Sequence, residues 1–415
     1  NNIANSATID VQSSATLNVT GLNSGTLVLA SGQTLKGTGT VTGATTAGSG
    51  SFISPGASPG ILNTGNIAFN SGSTFTVEVN GSTPGTQYDQ LNVTGTVSLG
   101  NATLSTSGTI TSTPGQTLVI INNDSNDAVT GTFNGLAEGA TVTINSVNFL
   151  ISYVGGTNNN DVVLVQAQTS IAVSGGNLVV TDSNGGTTAD TLTIKSYTAN
   201  SKYIITDPSN VLYAGPGATQ VSNNQVEVPF ASVTGTIQIN TLGGDDSLTI
   251  DFSLGNFSRA ISYTAGNPTT GPGDSLTLTG GGPFTTVTHT FVNANDGTVA
   301  ITGNSLITYT GLEPIADNLS AVNRVFTFNP LNETITVTDG TAADGKTNID
   351  STAGESVYFT NPSGSLTINA GTGNDTVTIT SVDAGFNVDL TINGDGGNDT
   401  VNLNADITFA SGEFL

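Results

Sequence analysis

The chain has 415 residues, of which 53 are glycine and only 9% are charged. This composition disfavours long helices, which draw on Ala, Leu, Glu, Lys and Arg, and it predicts an all-β chain. Six basic residues against 30 acidic ones give a formal charge of −24, which argues against nucleic acid as a partner, and the lack of Cys excludes disulfides and thiolate metal sites.

The sequence contains no Met, so Asn1 is not a translation start. We therefore expect a processed chain or a part of a longer polypeptide. No apolar run approaches the ~18 residues that a membrane helix needs, so we also expect no membrane span in this chain. No signal peptide is recognisable.

Residues 1–65 alternate between apolar and polar positions in short runs that are separated by Gly, Ser and Asn. A strand about every nine or ten residues, without Asn-Gly hairpin turns, favours parallel β-helix coils over a hairpin meander. The stretch SPGASPG (Ser54–Gly60) contains two prolines, which fix φ and remove hydrogen-bond donors. We expect it to stop or redirect the stack.

The same region resembles a known repeat. GQTLKGTGTVTG (Gly32–Gly43) and SFISPGASPGIL (Ser51–Leu62) are similar to the autotransporter-associated β-strand repeat of bacterial surface proteins, including large planctomycete ones. A β-rich segment follows at residues 66–167. Its part from Ser73 to Val165, which includes STFTVEVNGSTPGTQYDQLNVTG (Ser73–Gly95), resembles the segment that commonly follows that repeat. The resemblance implies an extracellular, right-handed β-helical stalk at the cell surface; it does not imply an enzymatic activity.

Two tandem β-modules follow, module A at residues 168–317 and module B, which we expect to be incomplete, at residues 318–415. LTINAGTGNDTVTI (Leu366–Ile379) returns 24 residues later as LTINGDGGNDTVNL (Leu390–Leu403), and it has an upstream counterpart in IQINTLGGDDSLTI (Ile237–Ile250). A fixed period of 20–50 residues is typical of solenoids, although β-sandwich-like modules remain an alternative. The predicted inward residues are Ile239, Leu248, Ile368, Val377, Ile392 and Val401.

The pattern Asp-x-φ-x-φ, where φ is apolar, recurs before these strands, at Asp89, Asp161, Asp190, Asp246, Asp274, Asp375 and Asp399. In one interpretation each Asp closes its own turn by accepting backbone N–H groups. In the other it binds Ca²⁺, because GTGNDTV (Gly371–Val377) fits the core of the nonapeptide repeat of haemolysin-type toxins, without that repeat's nine-residue spacing. The candidate calcium ligands are Asp245, Asp246, Asp274, Asp375, Asp395 and Asp399.

A stack of 24-residue coils would place Asp375 and Asp399 at the strand spacing of ~4.8 Å. Two carboxylates at that distance repel by roughly 3 kcal/mol at an effective dielectric of 20. Such a column therefore needs either a cation or donated N–H groups.

The basic residues offer little for catalysis. His289 is the only histidine and lies within an alternating strand, and the other basic residues are scattered along the sequence. We therefore predict a non-enzymatic, extracellular structural protein: a fibre, surface-layer or adhesin-stalk component that pairs with other copies or with the rest of a longer polypeptide. The alternatives are a carbohydrate-active β-helix enzyme and an adhesin that binds surface polysaccharide, with the turn at Gly266–Gly273 as a candidate loop.

Overall fold

A computed structural model of the chain describes residues 6–113, 115–124, 127–156, 158–183, 189–268, 273–341 and 343–404. The chain forms two compact units, residues 1–167 and 168–415. The described residues contain strands and short 3-10 turns (Asn23–Gly25, Thr198–Asn200 and Phe230–Ser232) but no α-helix. Accordingly, none of the described helical segments has the length and apolar character that a bilayer crossing requires.

The first unit contains seventeen strands, which follow one another at short intervals. They are β1 (Thr8–Val11), β2 (Thr16–Asn18), β3 (Thr26–Leu29), β4 (Thr34–Gly37), β5 (Thr40–Thr42), β6 (Ala44–Ala47), β7 (Phe52–Pro55), β8 (Ile61–Thr64), β9 (Ile67–Phe69), β10 (Thr74–Glu78), β11 (Gln90–Val93), β12 (Val97–Ser98), β13 (Thr103–Ser107), β14 (Thr117–Asn122), β15 (Thr141–Ile144), β16 (Val147–Gly155) and β17 (Asp161–Gln166).

The first fourteen of these strands, β1 to β14, build three sheets in which every third strand is a neighbour. The orders are β1-β4-β7-β10-β13, β2-β5-β8-β11-β14 and β3-β6-β9-β12, and all pairs are parallel. The chain therefore visits each of three faces once per coil. Apolar side chains alternate inward, among them Leu35, Ile53 and Phe75, which are fully buried. The predicted all-β fold with parallel solenoid segments is confirmed.

The expectation that SPGASPG (Ser54–Gly60) stops or redirects the stack of coils is wrong. Pro55 is the last residue of β7, and Gly56 and Gly60 lie in the corner before β8, which pairs with strands of both adjacent coils. A proline at the end of a strand removes no central ladder hydrogen bond, so the corner absorbs it and the stack continues.

Beyond β14 the first unit changes from parallel to antiparallel pairing. β17 lies antiparallel to β14, β16 antiparallel to β17, and β15 antiparallel to β16. All six residues of β17 are buried. This hairpin arrangement ends the run of parallel coils in one sheet.

The second unit contains the remaining strands. They are β18 (Thr169–Ser174), β19 (Asn177–Asp182), β20 (Thr191–Tyr197), β21 (Lys202–Thr206), β22 (Leu212–Ala214), β23 (Thr219–Ser222), β24 (Gln225–Pro229), β25 (Ile237–Asn240), β26 (Gly243–Gly244), β27 (Ser247–Asp251), β28 (Ile261–Thr264), β29 (Asn267–Pro268), β30 (Ser275–Thr279), β31 (Phe284–Phe291), β32 (Gly297–Ile301), β33 (Ile307–Thr310), β34 (Ile315–Asp317), β35 (Ala321–Thr327), β36 (Thr334–Thr338), β37 (Lys346–Ser351), β38 (Val357–Thr360), β39 (Ser365–Asn369), β40 (Thr376–Ile379), β41 (Asp389–Asn393) and β42 (Thr400–Leu403).

Two large sheets and one short pair organise this unit. The eleven-stranded sheet has the order β22-β18-β19-β25-β28-β33-β32-β31-β35-β39-β41, and the twelve-stranded sheet has the order β23-β24-β21-β20-β27-β30-β34-β38-β37-β36-β40-β42. Side chains from both sheets form one hydrophobic core. The two modules are continuous, because β31 pairs with β35 and β34 pairs with β38, both in parallel.

The three related sequence units each form strand, turn and strand, as predicted. They comprise β25 and β27, β39 and β40, and β41 and β42, and the last two units pair strand for strand in the predicted 24-residue register. Of the predicted inward residues, Ile239, Ile368, Leu248 and Val377 are buried and Ile392 is partly buried. Val401 is 48% exposed, because it lies on β42, the last strand of its sheet in the described part of the chain.

Glycine is required where successive turns approach each other closely. A Cβ on Gly397 would lie 1.4 Å from the carbonyl oxygen of Gly373, one coil earlier, and a Cβ on Gly371 would lie 2.4 Å from that of Asn329. Gly371 also has φ +97°, which favours glycine. These glycines bring the aspartates that follow them close to the neighbouring coil.

Candidate functional site

Five of the seven recurring aspartates lie in the second unit, immediately before strands of the twelve-stranded sheet; Asp89 and Asp161 lie in the first unit. Asp190 precedes β20, Asp246 precedes β27 and Asp274 precedes β30. These strands pair in parallel with Thr191, Ser247 and Ser275 in register, so the three aspartates stack along the sheet. We call Asp190, Asp246 and Asp274 the first ladder.

Backbone N–H groups connect the first ladder from coil to coil. The Asp190 N–H donates to Asp246 Oδ1 at 2.8 Å, and the Asp246 N–H donates to Asp274 Oδ1 at 2.8 Å. Asp190 Oδ1 accepts hydrogen bonds from the Thr169 hydroxyl at 2.9 Å and Asn210 Nδ2 at 2.8 Å. The donated N–H groups that the column needs are therefore present.

A second ladder has the same construction in module B. The Glu333 N–H donates to Asp375 Oδ1 at 2.8 Å, and the Asp375 N–H donates to Asp399 Oδ1 at 3.0 Å. The expectation that each Asp closes its own turn is thus corrected at these positions, because the acceptor and the donor belong to different coils. Parallel register places the donor of one coil beside the acceptor of the next, which a local sequence pattern cannot reveal.

Asparagines beside the second ladder make hydrogen bonds in the opposite direction. Asn332 Oδ1 accepts the Asn374 N–H at 2.8 Å, and Asn374 Oδ1 accepts the Asn398 N–H at 2.8 Å. Sequence reasoning missed this role, although the signal was present as an Asn before each acidic residue. The two sets of bonds fix the register of these turns from both sides.

The six predicted calcium ligands do not converge on one point. Asp246 and Asp274 belong to the first ladder, and Asp375 and Asp399 to the second. Asp245 is half-buried beside the first ladder, and Asp395 is exposed with φ +61° in the turn before β42. Calcium at these residues stays a prediction, and an ion at the four ladder aspartates would share carboxyl groups that already accept N–H donors.

The first ladder is electrostatically unusual because its carboxyl groups are buried and the charged groups that shift their pKa values, among the described residues, are all acidic. All three residues are at most 1% exposed, and their Oδ2 atoms have no hydrogen-bond partner among the described residues. Burial raises the pKa of Asp190 to about 7 and that of Asp246 to about 6, and it also raises the pKa of Asp274. Nearby carboxyl groups add to each shift.

A carboxylate cluster that sequence reasoning missed lies elsewhere in module B. Asp339, Asp344 and Asp383 can bring one ligand atom each within 4.8 Å of one another. The two oxygens of Asp383 already accept N–H groups from Gly385, Asn361 and Gly345, and Asp344 accepts the Tyr358 hydroxyl. The three residues follow no periodic spacing, so no sequence pattern predicts that they come together.

A buried ion-pair network joins the two modules. Asp317 Oδ2 lies 2.9 Å from His289 Nε2 and also accepts Arg324 Nη1, while Arg324 Nε donates to the Thr360 carbonyl at 2.7 Å. The side chains of Asp317, His289 and Arg324 are all fully buried. Burial alone would raise the pKa of Asp317, but Arg324 and His289 outweigh it and lower the pKa to about 2. His289 is thus part of the core, where no substrate reaches it.

A groove of about 610 Å³ in the first unit offers amide and hydroxyl groups. Two of its three side-chain amides already serve the fold: Gln87 Oε1 accepts the Ser82 and Thr83 N–H groups, and Asn80 Oδ1 accepts the Thr109 N–H. The groove therefore provides no distinct support for sugar binding. The predicted loop at Gly266–Gly273 lies partly outside the described residues, which omit residues 269–272.

Comparison of the chain with family models, with curated proteins and with solved structures gives no match.

Proposed function

We propose that the chain is a structural component of a bacterial cell-surface fibre, surface layer or adhesin stalk and that it acts extracellularly by self-assembly or display. The observation that carries this proposal is that both large sheets of the second unit, which contain parallel and antiparallel pairs, run without a break from module A into module B. Eleven strands at ~4.8 Å spacing extend about 50 Å along the stack. Such a stack supplies stiffness and length, and its turns can vary without changing the core.

The chemistry of the buried groups supports a structural role. His289 and Arg324, the residues most suited to catalysis by type, are enclosed in the ion-pair network with Asp317. The recurring aspartates hold adjacent coils together through N–H groups. Both sets of residues therefore serve the architecture.

The outermost described strand supports assembly. Val401 and Leu403 on β42 are each 48% exposed, whereas Val377 and Ile379, their register partners on β40, are at most 2% exposed. An edge strand with exposed apolar side chains is able to pair with further β-structure. We propose that another copy, or a further part of a longer polypeptide, covers this edge.

Negative-stain electron microscopy of the purified chain tests this function. We expect filaments or sheets from the wild-type chain and their loss in Val401→Lys, because a charge on the edge opposes strand pairing. Val322→Lys is the matched control, since Val322 is a 38% exposed residue of β35, which lies between β31 and β39 inside its sheet. A monodisperse wild-type monomer that cleaves an acidic polysaccharide would favour the carbohydrate-active alternative.

A further inference from the structure

β42 has one free edge, and the backbone groups on that edge can be identified. The N–H groups of Thr400 and Asn404 donate to carbonyl groups of the preceding coil at 2.8 Å and 2.9 Å, so both residues face β40. Because successive residues of a strand direct their N–H and C=O groups to opposite sides, Val401 and Leu403 face away from β40. No strand of the described part of the chain pairs with β42 on that side.

β1, the first strand of the first unit, also has a free edge. The carbonyl groups of Ala7 and Val11 accept N–H groups of the next coil at 2.9 Å and 2.8 Å, so these residues face β4. Thr8 and Asp10 therefore direct their backbone groups away from β4. Among the described residues, no strand pairs with β1 on that side either.

The free edges of β42 and β1 have complementary polarity. In both sheets, outward residues such as Thr34 and Thr400 bond to the preceding coil, and inward residues such as Val11 and Val337 bond to the next coil. The free edge of β42 thus lies on the side of the next coil, and that of β1 lies on the side of the preceding coil. A strand like β1 is therefore able to continue the parallel ladder beyond β42.

The side chains of the two strands match in the same register. Both strands alternate outward polar residues with inward apolar residues, in the sequences TVNL of β42 and TIDV of β1. Val401 and Leu403 are each 48% exposed. Covering them with the inward residues of β1 removes apolar surface from water. The register places Thr400 beside Thr8, Val401 beside Ile9, Asn402 beside Asp10 and Leu403 beside Val11.

The outward position between the two apolar residues distinguishes β1 from the other free strands of the first unit. β2 and β3 also lie at the edges of their sheets. Asp10 offers a carboxylate acceptor to the side-chain amide of Asn402. β3 would instead place Val28, which is apolar and 64% exposed, beside that amide, and β2 offers Leu17 alone as an inward apolar residue.

The beginning of the second unit offers no comparable edge among its described strands. β23 runs antiparallel to β24. On β22, the Leu212 N–H donates to the Asn223 carbonyl at 2.7 Å, and the Ala214 N–H donates to Gln220 Oε1 at 2.8 Å. Of the strands that the structure describes, β1 is therefore the one that best fits the free edge of β42.

We propose that β1 of a second copy of the chain covers β42 in a parallel, head-to-tail contact. This inference rests on the proposed function and identifies the two surfaces that self-assembly joins. Each contact leaves a free β1 on one copy and a free β42 on the other. The contact is therefore heterologous and able to repeat.

Two variants that each block one edge test this contact. Val401→Lys blocks β42, and Asp10→Pro removes an N–H that faces away from β4, where a proline is tolerated. We expect no filaments from either variant alone. Their equimolar mixture should form dimers in analytical ultracentrifugation, because each variant keeps the edge that the other lacks. Thr106→Pro is the matched control: its N–H faces away from the neighbouring strand on β13, at the opposite edge of the sheet that contains β1, so filaments should persist.

Disulfide cross-linking tests the register without requiring filaments. The chain has no Cys, and register neighbours on adjacent strands lie close enough for a disulfide. We expect a mixture of Asn402→Cys and Asp10→Cys chains to give a disulfide-linked heterodimer on oxidation. A mixture of Asn402→Cys and Val28→Cys chains, which places the second thiol on β3, is the control and should give far less.

Several results would overturn the contact. They are filaments from Asp10→Pro alone, a mixture that forms neither dimers nor the heterodimer cross-link, preferential cross-linking to Val28→Cys, and preferential homodimers of Asn402→Cys, which would mean that two β42 strands pair. Filaments that Val401→Lys abolishes and Asp10→Pro preserves would contradict the contact with β1 and leave the proposed function standing. A heterodimer cross-link without wild-type filaments would support the contact and contradict filament assembly.

Discussion

Asp246 and Asp317 are both buried in the second unit, yet their surroundings are opposite. Asp246 receives a backbone N–H from Asp190 and faces other acids, whereas Asp317 contacts both His289 and Arg324. Burial raises the pKa of Asp246 to about 6, while Arg324 and His289 outweigh burial at Asp317 and lower its pKa to about 2. Burial alone therefore does not decide the charge of a core carboxyl group; its partners do.

Removing the cation from Asp317 is expected to have the largest effect. Arg324→Met leaves Asp317 buried opposite His289 alone and removes the bond to the Thr360 carbonyl, so we expect a loss of about 3–5 kcal/mol in the free energy of unfolding. Chemical denaturation measures the loss. Lys36→Met, which removes a partly exposed cation 4.0 Å from Asp10, is the control. A loss below about 1 kcal/mol for Arg324→Met would show that Asp317 needs no guanidinium.

A carboxyl group introduced elsewhere in the core would have neither the N–H donor that Asp246 has nor the cation that Asp317 has. Val377 is 2% exposed and lies in register with Val401, which is 48% exposed. We expect Val377→Asp to lower the free energy of unfolding by several kcal/mol, about 2–4, and Val401→Asp to change it by less than about 1. Equal losses in the two variants would mean that β40 is no more enclosed than β42.

The strand repeats could be predicted from sequence because they depend on local alternation and period. The units containing Leu248 and Val377, and the 24-residue register, followed from pattern alone. The partners of the aspartates could not be predicted, since Asp246 Oδ1 meets an N–H 56 residues away. Nor could the network of His289, Asp317 and Arg324, which forms only when β31, β34 and β35 come together.

Asp317 and the first ladder make the stability of the chain depend on pH in opposite senses. Asp317 contributes stability above the ordinary Asp pKa, and this contribution is lost as the pH falls from about 4 towards 2. The first ladder contributes in the opposite sense and loses stability as the pH rises from about 4 to 7. We expect thermal melts across pH 2–9 to give a maximum near pH 4–5. A maximum above pH 7 would contradict the raised pKa values of Asp190 and Asp246 in the first ladder.

The smallest effect is expected where a carboxylate and its cation lie near the surface. Lys195 and Asp251 are 2.8 Å apart, but the lysine side chain is 33% exposed, so water and salt screen the pair. Lys195→Met should lower the free energy of unfolding by at most about 1 kcal/mol, and less in 1 M salt. A loss as large as that of Arg324→Met would remove the distinction between surface and core pairs.

Amide hydrogen exchange tests most directly the claim that N–H groups donated between coils hold the acidic columns. The amides of Asp190, Asp246, Glu333 and Asp375 belong to turn residues that ordinarily exchange quickly, but each donates to a carboxyl oxygen of the next coil. We predict that all four exchange as slowly as the adjoining strand amides. Exchange as fast as that of Asp395, in an exposed turn, would contradict the ladders.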